Sequence, residues 1–254
     1  MKYSTEYSIV LDIAMASLVP SSLSAAYIVY ENLHKCMTEY RRYDVAAAPL
    51  GVDAFEKRFQ YDRYVRIDAK ATMHGGKPIE TKYISVMLID SSFKALQDIT
   101  ALIFSQILKA DKRSGVQMPA GSRVVIFVSR DDMRPQLAKI ELKNLPCKLY
   151  NYRYRHFIIE LPRHILSSRH EIVGDAELEL LRKNHVELAV GSCKLIFDDD
   201  PQCIWIGGMP GDVIRITRLS NNTGESIDYR YVVRRGAANL PAAPIESVED
   251  PEAA

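Results

Sequence analysis

The sequence lacks the features that mark several classes of protein. No stretch approaches the roughly 20 consecutive apolar residues of a membrane-spanning helix, so we predict no membrane contact. The four cysteines contain no Cys-x-x-Cys pair and no histidines at zinc-ligand spacing, which predicts free thiols in a reducing compartment. Lysine and arginine total 33 against 32 acidic residues, so the basic excess of a free-standing nucleic-acid binder is absent. Contact with DNA is therefore expected only within a larger assembly.

The pattern that is present is that of a globular protein with 47% hydrophobic and 26% charged residues. In the first two thirds of the chain, apolar periodicity and turn residues indicate alternating helices and strands. Helices are predicted at 22–42, 53–59 (capped by Asp53), 93–107 (capped by Ser91 or Ser92) and 132–140 (kinked near Pro135), and strands at 64–69, 83–89, 124–128, 148–150 and 155–161. This order favours an α/β layer with a mixed sheet.

Beyond Pro162 the pattern changes to short elements separated by glycine-rich turns. A helix is predicted at 176–183 and strands at 194–197, 203–206, 213–218 and 228–235, which together form a small α+β domain. We therefore divide the chain into an N-terminal extension (1–21), an α/β domain (22–163), an α+β domain (164–235) and a tail (236–254). The tail is acidic and proline-containing, so it is predicted to be disordered.

The most specific stretch runs from Asp200 to Arg218 and places no nucleophile, base or metal ligand in an arrangement for catalysis. It resembles the C-terminal assembly domain of the shared fifth subunit of eukaryotic nuclear RNA polymerases, a family that also has archaeal members. The matching positions are Asp200-Pro201, Gly207, Gly211-Asp212-Val213, Ile216, Arg218, Ser220, Gly224, Tyr229-Arg230 and Val232, preceded by Arg169–Val173 and Glu179–Lys183. Asn221-Asn222 departs from the family's usual Glu-Thr.

The resemblance implies a subunit without catalytic residues, metal or cofactor, held by the largest polymerase subunit and neighbouring core subunits. The residues it assigns to docking are His170, Pro201, Trp205, Gly207, Gly211, Asp212, Val213, Ile216, Arg218, Ser220, Tyr229 and Arg230. For Trp205, two interpretations stay open. It is either an interface anchor near the surface or a core residue.

The preceding domain resembles the eukaryotic jaw domain of the same subunit, which has an endonuclease-like core and lies near downstream DNA. Arg130, Arg134, Pro135 and Lys139 are the predicted DNA-facing residues, and their contact with phosphates would be independent of sequence. Between residues 120 and 170, ten lysines and arginines stand against four acids, although Asp131 and Asp132 partly cancel this charge. A jaw implies a eukaryotic or viral protein. A divergent, specialised copy is expected in the nucleus, in the nucleolus if it serves polymerase I, or in a viral factory or virion.

Three other interpretations compete with this one. Asp90 with Glu141 and Lys143 could form the metal site of a nuclease with a restriction-endonuclease fold. The aromatic run 150–157 could stack single-stranded bases, but alternation favours a half-buried strand. Asp198-Asp199-Asp200 could bind a cation, but consecutive side chains point in different directions, so a solvated turn is favoured.

Overall fold

A computed structural model describes residues 23–93, 95–108, 121–141, 145–184, 192–220 and 224–234. The chain divides into two compact units, an N-terminal unit (1–167) and a C-terminal unit (168–254). Within the described ranges, no helix is both long and apolar enough to cross a membrane. The predicted extension (1–21) and acidic tail (236–254) lie outside the described residues.

The N-terminal unit is built on a five-stranded sheet with the strand order β1-β2-β3-β4-β5. Its strands are β1 (Asp44–Val45), β2 (Tyr64–His74), β3 (Lys77–Ile89), β4 (Arg123–Ser129) and β5 (Cys147–Arg153). The first three pair antiparallel, whereas β3, β4 and β5 pair parallel, which confirms the predicted mixed sheet. All seven residues of β4 are buried, as expected of a strand that is covered on both faces.

Helices cover the two faces of this sheet. They are α1 (Leu23–Lys35, extended by a π-helical turn, Cys36–Tyr40), α2 (Val52–Asp62), α3 (Leu96–Leu102, extended by a π-helical turn, Ile103–Leu108) and α4 (Arg134–Glu141). Alternate strand residues such as Met87, Phe127 and Leu149 form one core with α3 and α4. Tyr152 points to the other face, where the Arg41 guanidinium that follows α1 lies 5.7 Å from its ring centroid. The sheet therefore lies between two helical layers.

The C-terminal unit has a four-stranded sheet with the order β6-β8-β9-β7. Its elements are β6 (Arg169–Ile172), α5 (Asp175–Lys183), β7 (Lys194–Phe197), α6 (Pro201–Ile206), β8 (Val213–Ser220) and β9 (Gly224–Val233). The pairs β6–β8 and β8–β9 are antiparallel, and β7 joins β9 in parallel. The core of this unit is formed by Ile196, Cys203, Ile214, Ile216 and Val232.

The prediction of a strand at 203–206 is wrong, because these residues belong to α6. The Asp200 side chain accepts hydrogen bonds from the N–H groups of Gln202 and Cys203 and so caps the helix start, while Pro201 occupies the first turn. Gly207, with φ of 76°, ends the helix in the left-handed region. Two capping signals thus fix a six-residue helix within an apolar run that by itself is typical of a strand.

Four further predictions about local structure are wrong. Residues 155–161 form no strand, because the chain leaves β5 through a 3-10 turn (Tyr154–His156). Pro135 does not kink α4, since it lies in the first turn, where no intrahelical N–H donor is needed. The helix after Ser91 and Ser92 begins only at Leu96, and the helix cap before Val52 is Gly51 rather than Asp53.

The buried tryptophan of α6 provides a test of this core. Trp205 is 0% exposed, so we expect Trp205→Ala to lower the free energy of unfolding of the C-terminal unit by about 3–5 kcal/mol. Urea unfolding of the full chain, followed by far-ultraviolet circular dichroism, measures this loss. Trp205→Phe is the control and should lower the free energy of unfolding clearly less, because it keeps an aromatic ring in the core. An unchanged urea midpoint for Trp205→Ala would contradict the assignment of Trp205 to the core.

Candidate functional surfaces

The predicted DNA-facing residues begin in a loop at the carboxyl end of β4, and Asn151 of the neighbouring strand β5 holds this loop. The Asn151 Nδ2 donates hydrogen bonds to the Phe127 carbonyl at 3.3 Å and to the Ser129 hydroxyl at 3.0 Å. Its Oδ1 accepts from the Met133 N–H at 2.9 Å. Sequence reasoning missed Asn151, although a single carboxamide within the aromatic run 150–157 is a signal that could have drawn attention to it.

Asp132 is the electrostatic centre of this loop. Its Oδ1 accepts from the backbone N–H and from the Nε of Arg134, both at 3.0 Å, and its Oδ2 accepts from Arg134 Nη2 at 2.5 Å and Arg153 Nη2 at 3.0 Å. The hydrogen bonds from Arg134 are the largest influence and outweigh burial, so the pKa of Asp132 is held well below its usual range. Two guanidinium groups on one carboxylate leave the loop with excess positive charge.

The four predicted DNA-facing residues do not all share one surface. The Arg130 guanidinium lies 5.8 Å from the ring centroid of Tyr154, whose hydroxyl donates to the Ile89 carbonyl at 2.8 Å. Arg134 and Pro135 form the first turn of α4, whereas Lys139 lies in its last turn. Five residues correspond to a rotation of about 140° around an α-helix, so Arg134 and Lys139 point in different directions. The structure groups the first three residues at the loop and separates Lys139 from them.

Several residues assigned to docking lie in the core of the C-terminal unit instead. Trp205 is 0% exposed, Ile216 is 1% exposed and Val213 is 5% exposed, so a surface position for Trp205 is wrong. Trp205 points inward from the short helix α6, whereas Val213 and Ile216 are buried residues of strand β8. They shape the unit and offer no side-chain surface to another protein.

Other predicted docking residues do reach the surface. Pro201, Gly211 and Arg218 are exposed, whereas the half-exposed ones are His170, Asp212, Tyr229 and Arg230. The Ser220 side chain lies outside the described part of the structure. His170 Nδ1 donates to the Ser168 carbonyl at 2.8 Å, and burial lowers the pKa of His170. The strand register places His170, Arg218 and Arg230 on one face of the sheet, the face that carries Ile214 and Ile216.

The opposite face of the same sheet is closed by an ion network around Arg215. Its Nη1 donates to both Glu177 carboxylate oxygens of α5 at 3.0 Å, and its Nη2 donates to Glu171 Oε2 at 2.8 Å. The Tyr229 hydroxyl donates to Glu177 at 2.9 Å, so this predicted docking residue already has a partner within the unit. Burial would raise the pKa of Glu171, but hydrogen bonds from Arg215 and Arg169 outweigh it and lower the pKa. The network fixes α5 on the sheet.

An apolar patch at the tip of the β8–β9 hairpin was not predicted from the sequence. Leu219 is 89% exposed and Ile227 is 54% exposed, and the register places both on the Arg215 face. Strand β6 pairs with β8 only as far as Thr217, so beyond that residue the hairpin is a two-stranded ribbon. Among the described residues, neither strand pairs with a third strand there. The patch is therefore a surface available to another protein.

The alternative interpretations find no support in the geometry. Asp90 at the end of β3 pairs with Arg63 Nη1 at 3.1 Å, Glu141 ends helix α4, and Lys143 lies outside the described residues. Asp200 caps α6, and the described residues hold no group of three or more histidine, cysteine, aspartate or glutamate side chains that could bind a metal ion. The run 150–157 is strand up to Arg153, and its Tyr154 and Phe157 are buried.

Comparisons with known proteins match the C-terminal unit. The family described as RNA polymerase Rpb5, C-terminal domain, matches residues 159–232. A protein named DNA-directed RNA polymerase subunit Rpo5 from Nitrosopumilus maritimus is 41% identical over 80 residues, which are 30% of this chain and 89% of that protein. The proteins of the same name from Methanocaldococcus jannaschii and Sulfolobus acidocaldarius are 40% and 43% identical over 72 and 77 residues. These stretches cover 28% and 30% of this chain, and 91% and 88% of those proteins.

The lowered pKa of Glu171 predicts a loss of stability in acid. Ionised Glu171 stabilises the folded C-terminal unit above its ordinary pKa of 4.5, and this contribution is lost as the pH falls through the lower folded value. Thermal unfolding of the full chain between pH 3 and pH 7, followed by the fluorescence of Trp205, measures the effect, because Trp205 is the only tryptophan.

We expect Glu171→Gln to be less stable than the wild type at neutral pH and to lose less stability towards acid. Glu225→Gln is the matched control, since Glu225 is an exposed carboxylate of β9 on the same sheet face, and it should follow the wild type. If acid lowered the thermal stability of Glu171→Gln as much as that of the wild type, then the ionisation of Glu171 in the Arg215 network would not contribute to the pH dependence of stability.

Proposed function

Since the chain belongs to the family of RNA polymerase subunits Rpb5 and Rpo5, we propose that its C-terminal unit anchors it on the largest subunit of a multisubunit DNA-directed RNA polymerase. The family assignment confirms the resemblance seen in residues 200–232. The match covers 89% of the Nitrosopumilus maritimus subunit, so the C-terminal unit alone corresponds to nearly a whole relative. The chain is a polymerase subunit, and we assign it a structural role in assembly, with the catalytic site in other chains.

The surface that we assign to docking is the apolar patch of the β8–β9 hairpin on the Arg215 face. The exposed side chain of Arg218 lies on the opposite face of the hairpin and is a separate candidate contact. Large exposed apolar side chains that are diagonal neighbours across a strand pair, as Leu219 and Ile227 are, suit a protein–protein contact. Leu219 carries this assignment, because 89% of this large apolar side chain is exposed. Glycines and buried residues of the family pattern support the surface from beneath.

We expect Leu219→Glu to abolish co-purification with the largest polymerase subunit while leaving the C-terminal unit folded. A charge placed in an apolar contact is desolvated without a partner, and at an exposed position it costs the free chain little. The measurement is affinity purification of the tagged chain from its own cells, with the thermal transition reported by Trp205 as the folding check. Met73→Glu, at an exposed apolar strand position in the N-terminal unit, is the control.

Gly211→Val separates docking from folding. Gly211 has φ of 102°, a conformation that a β-branched residue does not adopt without strain, so this variant should lose both the thermal transition and co-purification. Leu219→Glu should lose co-purification with the largest subunit but keep the thermal transition. Wild-type recovery of the largest subunit with Leu219→Glu would remove the hairpin tip from the docking surface, and wild-type recovery with Gly211→Val would contradict docking through this unit altogether.

For the N-terminal unit we propose the role of a jaw near downstream duplex DNA. The basic loop after β4 supports this, since Arg130, Arg134 and Arg153 outnumber the carboxylates of Asp131 and Asp132. Guanidinium groups held by neighbouring side chains suit phosphate contacts that do not depend on base sequence. Lys139, which points away from Arg134, would contribute less than the loop.

The DNA contact can be measured through its salt dependence. We expect Arg130→Gln to weaken the elongation complex of the reconstituted polymerase and to reduce the slope of log affinity against log salt by about one. Lys139→Gln should change the slope less, and Lys57→Gln on the exposed side of α2 should not change it. Equal slopes for Arg130→Gln and the wild type would place the loop away from the DNA backbone.

The N-terminal unit also bears on which polymerase contains the chain. The archaeal relatives match only 28–30% of the whole chain, and the N-terminal unit is the part that they do not account for. We infer a specialised copy that acts in the nucleus, in the nucleolus if it serves polymerase I, or in a cytoplasmic viral factory or virion if it is viral. Identification of the largest subunit that co-purifies with the chain decides between these polymerases.

A further inference from the structure

A cavity of about 370 Å³ lies in the N-terminal unit beside the edge of β2 that faces β1. Its walls combine main chain of the segment 46–50 with apolar and charged side chains. The polar residues that line it are Tyr30, His34, Arg58, Arg66, Asp68 and Gln106. The volume falls in the range of pockets that hold ligands. Neither the predicted DNA contact nor the docking surface uses it.

The cavity exists because β1 leaves β2 after a few residues. Val45 pairs with Ala69, and the Ala46 N–H donates to the Asp68 carbonyl at 2.9 Å, but the following residues turn towards α1. There His34 Nε2 lies 3.0 Å from the Ala47 carbonyl, and the Tyr30 hydroxyl accepts from the Leu50 N–H at 2.9 Å. The segment is thus held on the helix instead of the strand.

Among the described residues, no strand pairs with β2 at Tyr64–Asp68 on the edge that β1 leaves. The Asp68 carbonyl faces β1, whereas the Arg63 carbonyl faces β3 and accepts from the Asp90 N–H at 2.9 Å. Because main-chain groups alternate along a strand, those of Tyr64 and Arg66 point to the same edge as Asp68. Among the residues that the structure describes, no main-chain hydrogen bond joins 47–50 to β2.

The charges around the edge favour an acidic ligand. Arg66 is held by Asp68, with Nε 2.7 Å from Oδ1, and by the Gln106 carbonyl, and the Ser85 hydroxyl donates to the same Asp68 oxygen at 2.5 Å. Arg58 on α2 has a side chain that is 53% exposed and pairs with Asp62 only at 3.7 Å. Its guanidinium can turn to a carboxylate in the cavity, while Asp68 is engaged within the unit.

We propose that this groove binds an extended peptide segment of a partner protein, which adds to β2 as a strand and places an acidic side chain against Arg58. Strand addition supplies affinity through the main chain, and the adjoining pocket supplies selectivity. The edge from Tyr64 to Asp68 spans about 13 Å, the length of about four extended residues. This binding function goes beyond the assembly role proposed above and does not depend on it.

The test uses the full chain and a phage-displayed library of random nine-residue peptides. We expect enriched peptides to contain an acidic residue and to lack proline at the centre. The consensus peptide should bind the wild type and bind Arg58→Glu about ten-fold more weakly. Lys57→Glu is the matched control, because Lys57 is exposed on the same helix but does not line the cavity, and it should bind like the wild type.

Two further measurements distinguish strand addition from a contact made by side chains alone. The consensus peptide with methylated backbone nitrogens should bind about ten-fold more weakly, and the unmodified peptide should slow hydrogen exchange of the amides at 64–68. Ala48→Trp, which fills the cavity from its opposite wall, should also abolish binding while the thermal transition is kept. Failure to enrich any peptide, equal binding to Arg58→Glu, or insensitivity to backbone methylation would overturn the proposal.

Discussion

The capped helix α6 is the constraint on which the C-terminal unit depends. The Asp200 carboxylate satisfies N–H groups at its start and Gly207 reverses the chain at its end, so six residues suffice to direct Cys203, Ile204 and Trp205 into the interior. Without these two caps the apolar segment would have no reason to leave an extended conformation. The family pattern of Asp-Pro followed by glycine is in this sense a folding signal, and it acts on the docking surface only through the shape it imposes.

In both units, inner side chains hold in place the positions of the surfaces that we propose as functional. In the C-terminal unit the Arg215 network fixes α5 on one sheet face, and the hairpin extends beyond β6 with Leu219 at its tip. In the N-terminal unit Asn151 and Asp132 hold the loop that carries Arg130 and Arg134. A polar clamp inside a rigid sheet supports each surface, which limits the conformational entropy lost when a partner is bound.

The sequence predicted correctly those elements in which the hydrophobic pattern matches the burial of the residues in the fold. The apolar run 124–128 became a fully buried strand, and the amphipathic run 176–183 became a helix. Prediction from the sequence failed where one residue overrides the hydrophobic pattern, as the helix cap Asp200 does. It also failed where tertiary pairing decides which side chains are exposed. Leu219 lies out of phase with the buried residues Ile214 and Ile216, on the Arg215 face of β8, and its 89% exposure follows from the folded hairpin. The role of Asn151 depends on which strand lies beside β4, and a single sequence does not reveal strand order.

The position of β9 within its sheet has a consequence for synthesis. Strand β9 lies between β8 and β7, and it pairs with β8 through Tyr231 and with β7 from Arg230 to Val233. A nascent chain therefore cannot complete the sheet until translation has passed that point, whereas all strands of the N-terminal unit have emerged long before. Ribosomes that stop early release chains with a finished first half and an unpaired second half. Under the proposed docking through the C-terminal unit, such products would be unable to join the polymerase, so assembly itself would select for full translation.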